Sequence, residues 1–528
     1  MTSPTDYDYL ATPPDQYSVE VGEARPGETR PRRHYLLGDK PLVNGAEFFN
    51  SQNLWEGFLG GEKASNGGTC LGVRAKNADG TAGDFVWQSY AQIRARALNV
   101  GHALTHLGLT TQGFVGLYSV NRLEWTLGEL GSYTKNLCTV PLYDTLGDES
   151  IVFIINQTEM TLVFATCDKA ANLLRLKERI PTLKTIILMD APPTGDTPYY
   201  PDEAARAACV FAPADLATKA RTDLTEAGFE VYAHLDLEKL GSENPSDLVA
   251  ATPDDLATIC YTSGTTGLPK GVMLTHNNIL SDGAGFMYLG DRGESIIINS
   301  SSYYLSFLPL AHVFERVVFQ VLLLRGATIG FYQGDIRTLM DDIAALRPTI
   351  FVAVPRLLNR VYDRIRATID ASPFLSKFLF DTAYNTKLAN VASGSRTHWL
   401  WDRLVFSKVR ERLGGRVQYI LSGSAPVSAE ILQFLRVCFS CYVFEGYGQT
   451  ETTAGATLTC KSDFSSGHTG PPMPNIEVKL VDVPEMNYFS TDKPFPRGEV
   501  CLRGYSITHG YYKDEEKTRT CAARPCPL

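Results

Sequence analysis

Short apolar runs typical of buried strands recur along the chain, and stretches with helical spacing separate them. The clearest runs are CTVPLY, TLVFAT, KTIILMD, ATICY, TIFVAV and VQYILS. Strands that alternate with helices in this way form largely parallel sheets covered by helices. The pattern therefore predicts an α/β fold, and 528 residues are enough for about three or four domain-sized units.

Composition excludes several other classes of protein. The formal net charge of −9 and the pI near 5.6 argue against a nucleic-acid binder, which usually carries a strongly basic domain. The eleven cysteines form no compact framework, and the polar, acidic start of the chain does not resemble a signal peptide. No window reaches the roughly 18 apolar residues of a spanning helix. We expect an intracellular globular protein whose membrane contact, where present, is peripheral.

The strongest motif is a Ser/Thr/Gly loop that reads YTSGTTGLPKGV from Tyr261. Small and hydroxyl residues let backbone N–H groups and side-chain hydroxyls converge on phosphate oxygens, and a lysine adds a positive charge. Pro269 precedes the lysine, and a strand-like VMLTH follows before a helix start near Asn277, so the loop is not a Walker loop. The expected phosphate-binding residues are Thr262, Ser263, Gly264, Thr265, Thr266, Gly267 and Lys270.

A second motif, FEGYGQTE, ends at Glu451 and follows an apolar run. Gly446 and Gly448 flank Tyr447, which would let its ring lie against a planar base. Thr450 can hydrogen-bond a phosphate, and the Glu451 carboxylate is a hard ligand suited to magnesium. An ordinary strand and turn with a surface glutamate is the alternative interpretation of this motif alone.

Two further motifs are weaker in isolation. YILSGSAPVS places small residues, Ser424, Ala425 and Pro426, after a strand, where a ligand could approach the backbone closely. LPLAHVFER places His312 after a strand-like run. A plain turn and a structural histidine are the competing explanations.

The segment 355–414 is predicted to be a helical insert with one apolar stripe. Between Arg356 and Arg416 it carries twelve Lys or Arg and five Asp or Glu, which makes it locally basic in an acidic protein. A solvated helical face is one interpretation, and contact with anionic lipid headgroups or coenzyme A phosphates is the other.

The four motifs, in this order, resemble those of the adenylate-forming superfamily of acyl-CoA synthetases, aryl-CoA ligases, luciferases and adenylation domains. YSVEVGEARPGETRPRR, NLCTVPLYDTLG, VPRLLNRVYDRI and the helical insert are similar to the fungal-type long-chain fatty acid–CoA ligases. The resemblance implies a large N-terminal domain of two helix-flanked, largely parallel sheets plus a small distorted β-barrel. It also implies ATP, magnesium and coenzyme A as cofactor and co-substrates, and a fatty acid as the substrate.

The resemblance also assigns roles to residues. Lys270, His312, Thr450 and Glu451 form the expected catalytic set, with His312 between the acyl carboxylate and the thiol entrance. Thr262 and Glu451 are the expected magnesium ligands. The nucleotide is expected to contact Ser424, Ala425, Pro426, Glu445, Gly446, Tyr447, Gly448 and Thr450, besides the phosphate loop.

We divide the chain into an extended arm at 1–84, an adenylation core at 85–440, a small β subdomain with the adenine and magnesium motif at 441–510, and a tail at 511–528. The family continues through a Thr-Gly-Asp segment and a small domain with a catalytic lysine, whereas this sequence ends in RTCAARPCPL. We therefore expect a truncated ligase with an aberrant tail, without the small C-terminal domain and impaired in turnover.

Two alternatives to a long-chain ligase are a non-catalytic nucleotide or fatty-acid binding protein and an adenylating enzyme for another carboxylic acid. For the ligase we expect a location on the cytosolic side, with peripheral contact to endoplasmic reticulum, lipid droplet or peroxisome through the basic insert.

Overall fold

The computed structural model describes residues 16–77, 81–194, 200–262, 267–392 and 394–522. The strands are β1 (Ser18–Glu20), β2 (Arg32–His34), β3 (Thr69–Lys76), β4 (Ala82–Ser89), β5 (Phe114–Tyr118), β6 (Cys138–Leu142), β7 (Leu162–Ala165), β8 (Thr185–Leu188), β9 (Glu230–Ala233), β10 (Leu256–Thr262), β11 (Lys270–Thr275), β12 (Tyr303–Ser306), β13 (Thr328–Phe331), β14 (Ile350–Val352), β15 (Tyr419–Ser422), β16 (Tyr442–Tyr447), β17 (Thr457–Leu458), β18 (Ile476–Val481) and β19 (Glu499–Gly504).

The α-helices flank these strands. They are α1 (Gly45–Phe49), α2 (Leu54–Ala64), α3 (Tyr90–His106), α4 (Leu123–Tyr133), α5 (Asp148–Thr158), α6 (Cys167–Leu176), α7 (Glu203–Ala207), α8 (Ala214–Glu226), α9 (His234–Glu243), α10 (His276–Gly290), α11 (Val313–Leu324), α12 (Leu339–Leu346), α13 (Pro355–Asp370), α14 (Phe374–Ala392), α15 (Ser407–Arg410), α16 (Ala429–Phe439) and α17 (Glu515–Ala522). None of these described helices is long and apolar enough to cross a bilayer.

Two large sheets form the body of the protein, and both are parallel except at their edges. The seven-stranded sheet has the order β11-β10-β6-β5-β7-β8-β9, with β11 antiparallel to β10. The eight-stranded sheet has the order β17-β16-β15-β14-β12-β13-β3-β4, with β17 and β4 antiparallel to their neighbours. The predicted α/β fold with two helix-flanked sheets is confirmed.

The third sheet corrects one prediction. It has four antiparallel strands in the order β1-β2-β18-β19, and the edge strands β1 and β19 do not pair with each other. The small distorted barrel expected from the resemblance is therefore an open sheet in the described residues. Four short strands are fewer than the roughly five that small closed barrels use.

The described part of the predicted arm, residues 16–77 and 81–84, differs from an extended segment. It contains α1, α2 and β3, and β3 joins the eight-stranded sheet beside β13. Leu54, Trp55 and Phe58 are buried on one side of α2. The high content of glycine and charge in this segment suggested an extended arm instead of an amphipathic helix. The glycines of α2 allow close packing against neighbouring elements and do not form a turn.

The segment predicted as a helical insert contains α13 and α14, followed by short helical turns up to residue 413. Pro355 occupies the first turn of α13, where its missing N–H costs nothing. Leu358, Val361 and Ile365 are buried along the predicted apolar stripe. The insert is thus a helical layer attached to the end of β14.

Helix α11 connects the two large sheets through two consecutive buried side chains. Glu315 accepts hydrogen bonds from the hydroxyls of Tyr304 and Ser306 on β12, and burial raises its pKa to about 8. Arg316 forms a fully buried ion pair with Glu129 of α4, which covers the seven-stranded sheet. Buried charges are stable only when paired in this way, so α11 has one position relative to both sheets.

We predict that Gly61→Ala destabilises the protein, because a Cβ at this position would lie 1.8 Å from the Leu323 carbonyl oxygen of α11. Separating α2 from α11 should lower the free energy of unfolding by about 1–3 kcal/mol. The measurement is the midpoint of urea unfolding.

Gly60→Ala is the matched control, because a Cβ at this neighbouring position in the same helix would meet nothing within 4 Å. It should raise stability by about 0.5–1 kcal/mol through helix propensity. Equal effects of the two substitutions would contradict close packing at Gly61.

Candidate active site

A cavity of about 610 Å³ lies where the carboxyl ends of the parallel strands of both large sheets meet. This is the edge at which open α/β sheets bind ligands. Nine of the predicted site residues line it, and they come from all four sequence motifs. They are Thr262, Gly267, His312, Ser424, Gly446, Tyr447, Gly448, Thr450 and Glu451.

The phosphate loop connects the antiparallel strands β10 and β11. Thr262 pairs with Lys270 at the end of the hairpin next to the loop, and helix α10 follows β11 with Thr275 as its N-cap. The predicted strands before and after the loop correspond to β10 and β11, and α10 begins one residue before the expected helix start at Asn277. The loop residues Ser263, Gly264, Thr265 and Thr266 lie outside the described residues.

Lys270 is half-buried and does not line the cavity. Its Nζ lies 5.6 Å from the ring centroid of Tyr511, a cation–π distance. The segment that contains Tyr511 runs along β11, where the Met273 N–H donates to the Gly510 carbonyl and the Tyr512 N–H donates to the Gly271 carbonyl.

Glu451 is held by the same segment. The Tyr511 hydroxyl donates a 2.6 Å hydrogen bond to Glu451 Oε1, and the Thr508 N–H donates to the Glu451 carbonyl at 2.9 Å. Burial and the adjacent Glu451 carboxylate raise the pKa of Tyr511, so the phenol stays a donor. Tyr511 thus lies between Lys270 and Glu451, two residues that the sequence placed in separate motifs.

The turn after β16 is shaped by close backbone contacts. A Cβ at Gly448 would lie 1.6 Å from the Ala454 carbonyl oxygen, so only glycine fits. Thr453 and Ala454 have φ values of +57° and +87°, in the left-handed region that non-glycine residues rarely adopt. Such local strain often accompanies ligand-binding turns, and here it brings Tyr447, Thr450 and Glu451 to one wall of the cavity.

The SGSAP turn contributes one of its three predicted residues. Ser424 lines the cavity with a φ of +71°, whereas Ala425 and Pro426 are exposed outside it. Glu445 also lies outside, because its buried carboxylate accepts the Val427 N–H at 2.9 Å. Glu445 therefore fixes the turn that carries Ser424.

His312 is the N-cap of α11 and lines the cavity. Its Nδ1 accepts the Phe314 N–H at 3.2 Å, which leaves Nε2 free to carry the proton of the neutral ring. Burial lowers the pKa of His312, so the ring is neutral near pH 7. A neutral imidazole can donate one hydrogen bond here, but it does not supply a positive charge.

The cavity lining also includes a large apolar set, which we name the apolar wall, besides the motif residues, which we name the polar wall. The motifs gave no sign of the apolar set. Its side chains are Phe286, Ile296, Ile298, Val317, Val318, Val321, Leu322 and Met473. They come from α10, the segment that follows it and α11, except Met473, which lies in the loop before β18. The helical spacing of such residues is also that of ordinary core packing.

Asp282 of α10 is an unexpected member of the cavity lining. It is 4 % exposed, and within the described chain its carboxyl receives one hydrogen bond, from the Gly455 N–H at 3.2 Å. Burial raises the pKa of Asp282 well above its ordinary value. The group therefore joins α10 to the strained turn after Glu451.

The described residues offer few ligands for magnesium. No group of three or more His, Cys, Asp or Glu residues is placed to hold a metal in the parts of the chain that the structure describes. Thr262 and Glu451 both line the cavity and offer oxygen atoms. This donor set fits magnesium, which usually binds through one or two carboxylates, water and substrate phosphates.

The family model described as AMP-binding enzyme matches residues 73–512. The chain belongs to the AMP-binding enzyme family. Fatty acyl-CoA synthetase A of Dictyostelium discoideum is 40 % identical over 95 % of this chain and 70 % of its own length. Long-chain-fatty-acid–CoA ligase 1 of Homo sapiens is 42 % identical over 96 % of this chain and 68 % of its own length. The predicted membership of the adenylate-forming superfamily, near the long-chain ligases, is confirmed.

A solved structure extends the comparison to the fold. The adenylation domain of carboxylic acid reductase from Segniliparus rugosus, in complex with AMP and a co-purified carboxylic acid, aligns with a TM-score of 0.67 at 25 % identity. The alignment covers 90 % of this chain and 71 % of that one. The arrangement of the two sheets is therefore that of an adenylation domain.

We predict that Asp282→Asn stabilises the AMP-binding chain above pH 4, because an amide accepts the Gly455 N–H without a buried charge. A carboxyl whose pKa is raised by folding binds more protons in the folded state, so stability falls as pH rises from the unfolded-state pKa to the folded-state pKa. The free energy of unfolding of the wild type should fall by about 1.4 kcal/mol per pH unit over that interval, and that of the Asp282→Asn variant should not.

The measurement is the urea unfolding midpoint of both proteins between pH 5 and pH 8. Asp291→Asn, near the end of the same helix, is the control, since that carboxylate pairs with Arg325 at 3.0 Å and gains nothing from neutralisation. If the unfolding midpoints of the wild type and the Asp282→Asn variant changed in parallel with pH, the raised pKa of Asp282 would be contradicted.

Proposed function

We propose that the chain is a long-chain fatty acid–CoA ligase that forms an acyl-adenylate from a fatty acid and ATP and then an acyl-CoA thioester. The observation that carries the proposal is one cavity that is lined by residues of all four motifs and also by a large set of apolar side chains. An acyl-adenylate has the same division, with a charged nucleotide at one end and a hydrocarbon chain at the other.

In the first step, a carboxylate oxygen of the fatty acid attacks the α-phosphorus of ATP, and pyrophosphate leaves. In the second step, the sulfur of coenzyme A attacks the acyl carbonyl carbon, AMP leaves and the thiol proton passes to solvent. Neither step requires a redox partner. Catalysis then consists of holding the reacting atoms in line and stabilising the charge that develops on phosphate oxygens.

Each polar residue receives a role within this proposal. The loop from Thr262 to Lys270 binds the ATP phosphates, and Thr450 donates to the α-phosphate. Tyr447, Ser424 and the adjacent glycines border the adenine, with Glu445 in support through Val427. The neutral His312, which lines the cavity beside the apolar wall, donates a hydrogen bond to the fatty acid carboxylate or the acyl carbonyl.

Thr262 and Glu451 would hold magnesium, with Tyr511 orienting the Glu451 carboxylate. Magnesium supplies positive charge that offsets the charge on the phosphates during transfer. Hydrogen bonds to a carboxylate ligand fix its orientation and tune its affinity for the metal. Tyr511 is therefore a positioning residue that the sequence motifs did not reveal.

We further propose that the protein is intracellular and reaches its fatty acid at a membrane surface by peripheral contact of the 355–414 insert. The predicted organelles, endoplasmic reticulum, lipid droplet and peroxisome, share such a cytosolic lipid surface.

Glu451→Gln should reduce pyrophosphate release with palmitate and ATP by about 100-fold or more, because the amide is a poor magnesium ligand. Tyr511→Phe should retain the reaction but raise the magnesium concentration for half-maximal rate by about tenfold. Both effects are measured as initial rates of pyrophosphate release across a magnesium titration.

Tyr512→Phe is the control for Tyr511→Phe, since the Tyr512 ring packs at 5.3 Å against Phe114 rather than beside Glu451. Binding of ATP without pyrophosphate release in any acid mixture would favour the non-catalytic binding protein instead. Faster release with an aryl or amino acid than with palmitate would favour an adenylating enzyme for that acid.

A further inference from the structure

The first turns of α14 expose four large apolar side chains to solvent. Phe374, Leu375, Phe378 and Leu379 are 84, 66, 57 and 42 % exposed, and we name this set the apolar ridge. The rings of Phe374 and Phe378 stack at a centroid distance of 6.4 Å. Contiguous exposed groups of this size mark an interaction surface, whereas single exposed apolar residues need no explanation.

The ridge is not the core-facing side of the helix. On the other side of α14, Phe380 and Ala383 are buried, and the Phe380 ring meets Phe406 at 5.8 Å. Tyr384 packs against Phe434 of α16 at 5.9 Å. The helix is therefore apolar on two faces, one of which anchors it to the protein while the other faces outward.

A second exposed apolar pair follows α14. Trp399 and Leu404 are 83 and 59 % exposed. Arg403 and Lys408 beside them are exposed and form no ion pair within the described residues. Between residues 371 and 410 the chain carries six Lys or Arg and two Asp or Glu. Exposed apolar and aromatic side chains next to unpaired cations are the composition of a surface that enters an anionic bilayer interface.

We infer that the apolar ridge, together with Trp399 and Leu404, inserts into the headgroup region of an anionic membrane, with Arg403 and Lys408 on the lipid phosphates. The inference rests on the proposed peripheral contact and names its surface. Insertion to about 5–10 Å suits a helix that lies on a bilayer without crossing it.

Charge complementarity selects the bilayer over a second copy of the chain. In a two-fold dimer the ridge would meet its own copy, and the basic segment would face an identical basic segment. Anionic lipid headgroups instead provide the opposite charge, and about 1 kcal/mol of attraction is typical for each lysine or arginine near such a surface.

The test compares binding of the full chain and its variants to vesicles of phosphatidylcholine with about one third phosphatidylserine, by co-sedimentation. The double variant Phe374→Ser and Phe378→Ser should weaken partitioning by about tenfold or more, since both rings lose their apolar contact. Phe495→Ser is the matched control, because Phe495 is 77 % exposed in the loop before β19, outside the 355–414 insert. It should bind like the wild type.

Arg403→Glu with Lys408→Glu should weaken binding to the anionic vesicles about tenfold and leave binding to pure phosphatidylcholine unchanged. Pyrophosphate release with a medium-chain acid in vesicle-free buffer measures the ligase reaction separately from vesicle binding. Loss of vesicle binding can therefore be distinguished from loss of the ligase reaction. Unchanged vesicle binding by the Phe374 and Phe378 variant would overturn the inference. A wild-type dimer that this variant converts to a monomer would assign the ridge to a second copy and also overturn it.

Discussion

The position of α11 is the constraint on which the cavity depends. Two consecutive side chains hold it, Glu315 toward β12 of the eight-stranded sheet and Arg316 toward Glu129 above the seven-stranded sheet. Removing one partner of a buried ion pair leaves an uncompensated charge and costs about 3–5 kcal/mol. The Glu129 carboxylate also accepts the Tyr133 hydroxyl at 2.7 Å, which extends the network within α4. Helix α11 is therefore tied to both sheets by buried polar contacts.

The chemistry of the cavity follows from the same helix. His312 caps its first turn and belongs to the polar wall, while Val317 and Val321 form part of the apolar wall one and two turns later. Under the proposed function, a fatty acid carboxylate and a nucleotide phosphate would meet near the N-terminus of α11. Burial lowers the pKa of His312, so the neutral ring supplies no positive charge there, and under the proposal that charge would come from magnesium and the helix dipole.

Local patterns predicted the parts of the site that lie within one stretch of chain. The β10 strand, the loop and the β11 strand follow from a run of apolar residues, a run of small ones and a second apolar run. The helical insert follows from spacing, with Leu358, Val361 and Ile365 buried as expected. These features needed no knowledge of distant residues.

Other features depend on contacts between distant segments, which local patterns do not contain. Tyr511 meets Glu451 across 60 positions, and no spacing rule connects them. Asp282 reads as an ordinary polar helix position, and only the packing of α10 against the Gly455 turn buries it. Gly61 lies in the segment predicted as an extended arm, and only its contact with the Leu323 carbonyl explains why a side chain is absent there. The open third sheet likewise depends on which strands pair, not on their composition.

The most direct test of adenylation in this cavity follows oxygen atoms from palmitate labelled with ¹⁸O in both carboxylate positions. Attack of the carboxylate on the α-phosphorus places one labelled oxygen between carbon and phosphorus, and cleavage of the acyl carbon–oxygen bond leaves that oxygen on AMP. We therefore expect mass spectrometry to find one ¹⁸O atom in each AMP released and one in each acyl product. Unlabelled AMP, or formation of ADP and phosphate in its place, would contradict adenylation of the fatty acid.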